Sequence, residues 1–233
     1  MLNLVKKSLK NFLALNFSFF KIKNKNKLFG LSGKNFDLFI DVGANVGDFP
    51  LKLNKLFKIT FSNVVYIEPD GECQKELNKI KTKKIFPNCF IEIVSLGGEK
   101  KVIDFYKTTR SEENSSLQPL KSDYKKINVN QVTGEDIVFN YKHLFGKKNI
   151  LKIDTQGNEK EVLEGFKNYL NYFSIIIIEI SFTKFYKNQS SFFEIMNILD
   201  EKFNFIGDLS QTYDENGKLS YMNACFEKKS YED

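Results

Sequence analysis

The chain is poor in the residues that would tie it to metal, disulfide or nucleic-acid chemistry. Its 233 residues include three cysteines and one histidine. Cys73, Cys89 and Cys225 are far apart and form neither a CxxC pair nor a metal-ligand spacing. They read as reduced cysteines of a cytoplasmic protein, and no metal site is expected. His143 falls in a helical stretch and reads as a solvated helix residue. Arginine is almost missing, because among 35 basic residues only Arg110 carries a guanidinium. Nucleic-acid grooves favour arginine for bidentate contacts. The net charge of +6 therefore does not point to one, and no nucleic-acid partner is expected. No apolar run reaches the roughly eighteen residues that a membrane-spanning helix needs. The G-x-G-x-x-G of dinucleotide sites and the Gly-Lys-Ser/Thr of triphosphate sites are missing too.

What is present suits one α/β domain: 42% hydrophobic and 27% charged residues are ordinary globular values. Residues 1–34 read as an amphipathic helix followed by the lysine-rich linker KIKNKNK, and residues 35–229 as the domain proper. Leu2, Val5, Leu9, Phe12 and Phe19 share one helical face, with lysines largely on the other. Such a helix covers the domain's flank, pairs with a second copy of the chain or lies on a membrane surface. Pairing in a homo-oligomer is the preferred expectation, with peripheral contact at the inner face of the membrane as its alternative. The segment lacks a small-x-small cleavage site, so secretion is not expected.

The most informative stretch is 36–50, FDLFIDVGANVGDFP. Phe36, Leu38, Phe39, Ile40 and Val42 form an apolar run of the kind found in a strand buried on both faces of a parallel sheet. Asp41 stands near its end, and Gly43 and Gly47 follow with Ala44 between them. Small residues let the chain turn sharply into a helix while its backbone N–H groups approach a ligand. A second apolar strand over 64–67 ends in Glu68-Pro69. A carboxylate at that tip is placed to bind the two hydroxyls of a ribose. The pattern predicts a site for a nucleoside-containing cofactor.

Further along, Asp70 is expected to cap a helix over 71–81, with a third strand over 89–95 ending in Val94-Ser95-Leu96. An extra strand over 101–106 precedes a long polar loop, 108–124, which contains Ser115 and Ser116. A strand over 127–132 and a helix over 135–145 follow. In a strand over 150–154, Lys152 and Asp154 project to the same face. An ammonium inside a buried strand must find a carboxylate or open into a cleft, and both a structural ion pair and a catalytic role fit the residues. A helix over 158–169 carries Glu159 in its first turn. A buried strand over 174–180 brings Glu179 to the cleft edge. A helix over 192–201 and antiparallel strands over 203–209 and 221–227 complete the chain.

Asp41-x-Gly43-x-Asn45-x-Gly47, then Glu68-Pro69, then LKIDTQGNEKEVLEG over 151–165 resemble the motifs of class I methyltransferases, and specifically of the FkbM family. The likeness extends over about 36–228. It implies a single Rossmann-like α/β domain whose central, mostly parallel seven-stranded sheet has an antiparallel C-terminal strand and helices on both faces. It implies S-adenosyl-L-methionine as cofactor, held by Asp41, Gly43, Ala44, Asn45, Gly47, Asp48, Glu68 and Pro69. Ser95 and Leu96 would flank the adenine, although Ser95 also fits a simple strand-to-turn transition. Asp154, Lys152 and Glu159 are the expected catalytic residues, and Ser115, Ser116 and Glu179 the expected acceptor-side ones. The implied reaction is O-methylation of a sugar hydroxyl in a surface glycan or a secondary metabolite. Methylation of protein or RNA, or a binding module without turnover, are the alternatives. Asp154 is expected to act as base, with Lys152 tuning it or taking that role itself if its pKa is depressed. Thr155-Gln156-Gly157 stands where the family commonly has Val-Glu-Gly. One carboxylate is thus missing beside Asp154, which weakens a two-acid or metal mechanism.

Overall fold

The computed structural model describes residues 28–230. The expected N-terminal helix, and with it any pairing or membrane contact through it, lies outside the described residues. Among these residues no helix is long and apolar enough to cross a membrane.

The strands are β1 (Asn35–Val42), β2 (Thr60–Ile67), β3 (Asn88–Glu92), β4 (Ser95–Gly97), β5 (Lys101–Lys107), β6 (Lys125–Thr133), β7 (Asn149–Ile153), β8 (Ile175–Ser181), β9 (Phe203–Tyr213) and β10 (Leu219–Lys228). The α-helices are α1 (Asp48–Phe57), α2 (Gln74–Thr82), α3 (Gly134–Tyr141), α4 (Glu159–Gly165) and α5 (Phe192–Leu199). Seven strands form the main sheet in the order β3-β2-β1-β7-β8-β10-β9. The first five run parallel, and β10 is antiparallel to both its neighbours. This is the expected class I methyltransferase architecture.

Period-two alternation divides the core between the two faces of the sheet. Leu38, Ile40 and Val42 of β1 join Ile176, Ile178 and Ile180 of β8 under α3, α4 and α5. Phe39, Ile150, Ile175 and Ile177 face the other way, towards Leu53 of α1 and Leu77 and Ile80 of α2. The helix starts are written locally. Thr133 with Asp136, and Ser191 with Glu194, form reciprocal capping boxes at α3 and α5.

Four local expectations are corrected. The third strand stops at Glu92, and Ser95–Gly97 joins a second, three-stranded sheet by pairing in parallel with Gln131–Thr133. Asp70 does not cap α2, which begins at Gln74. Its carboxylate is taken up by the Glu72 amide, the Lys107 ammonium and the Asn114 amide. The expected 158–169 helix is α4 followed by a 3₁₀ turn over Lys167–Tyr172. The Phe166 N–H bridges several carbonyls there as the chain tightens from α-helix to 3₁₀, and Gly165 packs so close to β4 that a Cβ would stand 2.4 Å from the Gly97 carbonyl. The 135–145 helix likewise becomes α3 and a short 3₁₀ turn, on which His143 is exposed.

Candidate active site

A cavity of about 920 Å³ opens at the carboxyl ends of β1, β2, β7 and β8. Ligands of open α/β sheets collect at this edge. One half is built on Gly43, Asn45 and Glu68. Gly43 has φ +71°, and a Cβ there would stand 1.8 Å from the Asp154 carbonyl oxygen, so the turn after β1 and the end of β7 touch backbone to backbone. Only glycine allows both. Asn45 is also left-handed, at φ +47°. Its N–H donates to Glu68 Oε2 and the Asp70 N–H donates to Glu68 Oε1, each at 2.8 Å. The Glu68 carboxyl is thereby fixed in the cavity wall, where burial pushes its pKa up to about 7 against the pull of the two amides.

Beside Glu68, Ile67, Val94, Leu96 and Phe105 form an apolar corner of the same cavity. A carboxyl that can accept from two vicinal hydroxyls, next to an apolar surface for a flat ring, fits the nucleoside part of S-adenosylmethionine. Pro69 and Ser95 line this half as well.

The centre of the cavity holds Asp154, Gln156 and Glu179. The Asp154 side chain is 24% exposed, open enough to meet a ligand. Gln156, at φ +57°, turns its amide nitrogen between two carboxyls: Nε2 is 2.8 Å from Asp154 Oδ1 and 3.1 Å from Glu179 Oε1. Burial, then the charges of Asp154 and Glu159, raise the Glu179 pKa well above the usual carboxylate range. Behind Asp154, the Lys152 ammonium lies 3.4 Å from Asp154 Oδ2 and 3.0 Å from Asp41 Oδ1, and donates a hydrogen bond to the Gly43 carbonyl at 2.9 Å. Burial alone would lower the Lys152 pKa. Asp41 and Asp154 outweigh it, and the pKa is raised. Lys152 therefore lacks the depressed pKa that a base would need. Its ammonium and the Asp41 carboxylate form a close ion pair sealed from solvent. Desolvation raises the pKa of Asp41, with the Lys152 charge opposing it.

Several motif residues stand behind the cavity rather than in it. Asp41 is fully buried under Lys152. Ala44 is packed in the core, and a Cβ on Gly47 would meet Leu77 and Ile80 at 2.8 Å, so both serve packing. Asp48 is exposed and faces Lys52 of its own helix. Glu159 does not reach the cavity either. Its Oε1 accepts the Thr155 and Gly157 N–H groups, which makes it the clasp of the turn after β7, and burial pushes its pKa up to about 7. Ser115 is buried and donates to the Gln156 carbonyl at 2.8 Å, whereas Ser116 lines the cavity. Asp41, Ala44, Gly47, Asp48, Glu159 and Ser115, expected at the ligand, thus stand outside the cavity lining, beside or beneath the turns that border it.

The polar 108–124 segment crosses the cavity as a strap. At one end the Asn114 amide donates to Asp70 Oδ2 at 2.9 Å and the Ser111 hydroxyl to Asn45 Oδ1 at 3.1 Å. The Tyr186 hydroxyl faces the Glu113 carbonyl at 2.9 Å and Gln156 Oε1 at 3.2 Å, and at the other end Pro119 pairs with Tyr186 while the Leu120 N–H donates to the Phe185 carbonyl at 2.9 Å. Gln156, Tyr186 and Asn114 were not singled out from the sequence as site residues. Only the departure from Val-Glu-Gly drew attention to Gln156. Among the described residues, no group of three or more His, Cys, Asp and Glu side chains is placed to hold a metal ion.

The Methyltransferase FkbM domain matches residues 41–206. No curated protein matches the chain. Among solved structures, the chain is similar to a methyltransferase FkbM from Methylobacillus flagellatus KT, with a TM-score of 0.55 and 15% identity over 86% of this chain and 45% of that one. The chain therefore spans less than half the length of that relative. It is also similar to M. capricolum TrmK in complex with S-adenosylhomocysteine, with a TM-score of 0.46 and 16% identity over 90% and 70% of the two chains. At such identities the likeness is one of fold.

Proposed function

The chain belongs to the FkbM family of S-adenosylmethionine-dependent methyltransferases, and on that premise we propose that it methylates a sugar hydroxyl of a surface glycan or secondary metabolite. The observation that carries this reading is the placement of Asp154. It is a partly exposed carboxylate at the end of a central strand, in the same cavity as Gly43 and Glu68.

S-adenosylmethionine supplies a methyl group already activated by its sulfonium. The chain's own work is to bind, align and move one proton. Glu68 would accept from the ribose hydroxyls of the bound cofactor, and the Gly43 turn sets the distance between that carboxyl and Asp154. A sugar hydroxyl is a poor nucleophile while protonated, and the Asp154 carboxylate takes its proton as the new bond forms, a contribution of roughly 10²–10⁴-fold. Lys152 is a positioning residue: its ammonium is a fixed counter-charge behind Asp154. Glu179, whose pKa burial and the neighbouring carboxylates raise, stands across the Gln156 amide from Asp154 and borders the acceptor side. The strap keeps water away from the aligned groups.

The test is to incubate the purified full chain with isotopically methyl-labelled S-adenosylmethionine and a panel of glycosides, then locate the label by NMR. An O-methyl ether on a sugar is the expected product. Label found on nitrogen, or only on added RNA or protein, would sink the proposal.

A further inference from the structure

We infer that the half of the cavity away from Glu68 is a subsite for a pyranose, formed by one face of β8 and β10 with the 183–186 turn. The inference rests on the sugar-methylation reading and gives its acceptor a location. Alternation puts Tyr221 and Asn223 on the same face of β10. The register sets Asn223 opposite Glu179 on β8, and Glu179 is joined through the Gln156 amide to Asp154. On the far side, Asn223 Nδ2 donates to Ser210 Oγ at 3.0 Å. A row of hydrogen-bonding groups therefore leads outward from the reacting carboxylate along the cavity wall.

An apolar surface accompanies that row. The rings of Phe185 and Tyr221 both line the cavity, with centroids 6.4 Å apart and planes at 74°. Perpendicular rings offer one stacking face and an edge, not the parallel slot that would sandwich a nucleobase or catechol. A pyranose matches this arrangement, because one face of it is C–H and its rim is hydroxyl. With the C–H face on the aromatic pair, the rim meets the polar row and one hydroxyl lies towards Asp154. Of the cations near this wall, Lys121 and Lys184 line the cavity, whereas Arg110, the chain's one arginine, is bound to Glu112 and Glu113.

The test uses the full chain saturated with S-adenosylhomocysteine and the methyl α-pyranosides of glucose, galactose, mannose and rhamnose, read by saturation transfer to their ring C–H protons. At least one pyranoside should receive saturation. Tyr221→Ala and, as a second variant in the exposed turn, Phe185→Ala should each lower it fivefold or more. Tyr221→Phe should leave it unchanged, and S-adenosylhomocysteine affinity should stay within twofold in all three variants, which shows that they fold. Equal saturation in both alanine variants would overturn the location. Absence of saturation on every pyranoside, in protein that binds S-adenosylhomocysteine, would overturn the ligand class. Wild-type protein that fails to bind S-adenosylhomocysteine would instead bring down the methyltransferase reading, and this inference with it.

Discussion

The two halves of the cavity are built by different means. Around Glu68 the work is done by backbone: two left-handed residues, a glycine pressed against a carbonyl, and amides fixed on a buried carboxyl. Around Tyr221 it is done by side chains standing on strands and on an exposed turn. A backbone-built half admits few substitutions and suits a ligand that does not change. A side-chain-built half can be altered one residue at a time, and suits an acceptor that differs between related enzymes.

The sharpest way to separate the halves is Asp154→Asn. It should leave S-adenosylhomocysteine affinity unchanged by calorimetry while turnover falls by about 10²–10⁴-fold. Turnover within a few-fold of wild type would reassign Asp154 to structure. Next in size, Glu68→Ala should weaken S-adenosylhomocysteine at least tenfold without moving pyranoside binding. Because burial holds the Glu68 pKa near about 7, well above its ordinary 4.5, the carboxyl becomes a full acceptor only as pH rises through that value. Cofactor affinity should therefore increase from acid to alkaline across neutrality, and Glu68→Gln should flatten the profile. An affinity that falls with rising pH would contradict the assignment.

Gln156→Ala tests the boundary between the halves. It removes the amide between Asp154 and Glu179, and losing hydrogen bonds of about 1 kcal/mol predicts a turnover roughly fivefold lower. Cofactor affinity should not move, and an equal loss in both measurements would place Gln156 in the backbone-built half. The smallest expected effect is Asp48→Asn. Asp48 matches the first motif yet points to solvent, so affinity, turnover and stability should all stay within about 0.5 kcal/mol of wild type. A tenfold loss of affinity would return Asp48 to the cofactor site.

The same division decides what could be read from the sequence. β1, β2, β7 and β8 were legible because a buried parallel strand is an unbroken apolar run, and Gly43 and Glu68 mark where such runs end. Asp154 was legible by its place on that edge. The motif also carried Asp41, Ala44, Gly47 and Asp48, and a sequence pattern does not separate residues that touch a ligand from those that hold the turn that does. The 108–124 loop was marked by its length and polarity, but Gln156, Tyr186 and the contacts that hold the strap stayed hidden because they are distant along the chain. Ser115 reaches Gln156 across 41 positions and Tyr186 reaches Glu113 across 73. β4 was misassigned for a related reason, since its partner β6 lies beyond the whole of β5.

The pair Asp41 and Lys152 has a consequence for how such a chain can change over generations. Both side chains are sealed from water, and they stand directly opposite each other on adjacent strands. Replacing Lys152 alone leaves the buried Asp41 carboxylate without its counter-charge, a loss of about 3–5 kcal/mol from a total stability that is typically about 5–15 kcal/mol, whereas replacing Asp41 alone leaves Lys152 with Asp154 at 3.4 Å. Replacing both by apolar residues of similar volume is often close to neutral. The order of change therefore matters: a lineage can give up Asp41 before Lys152 more readily than Lys152 before Asp41.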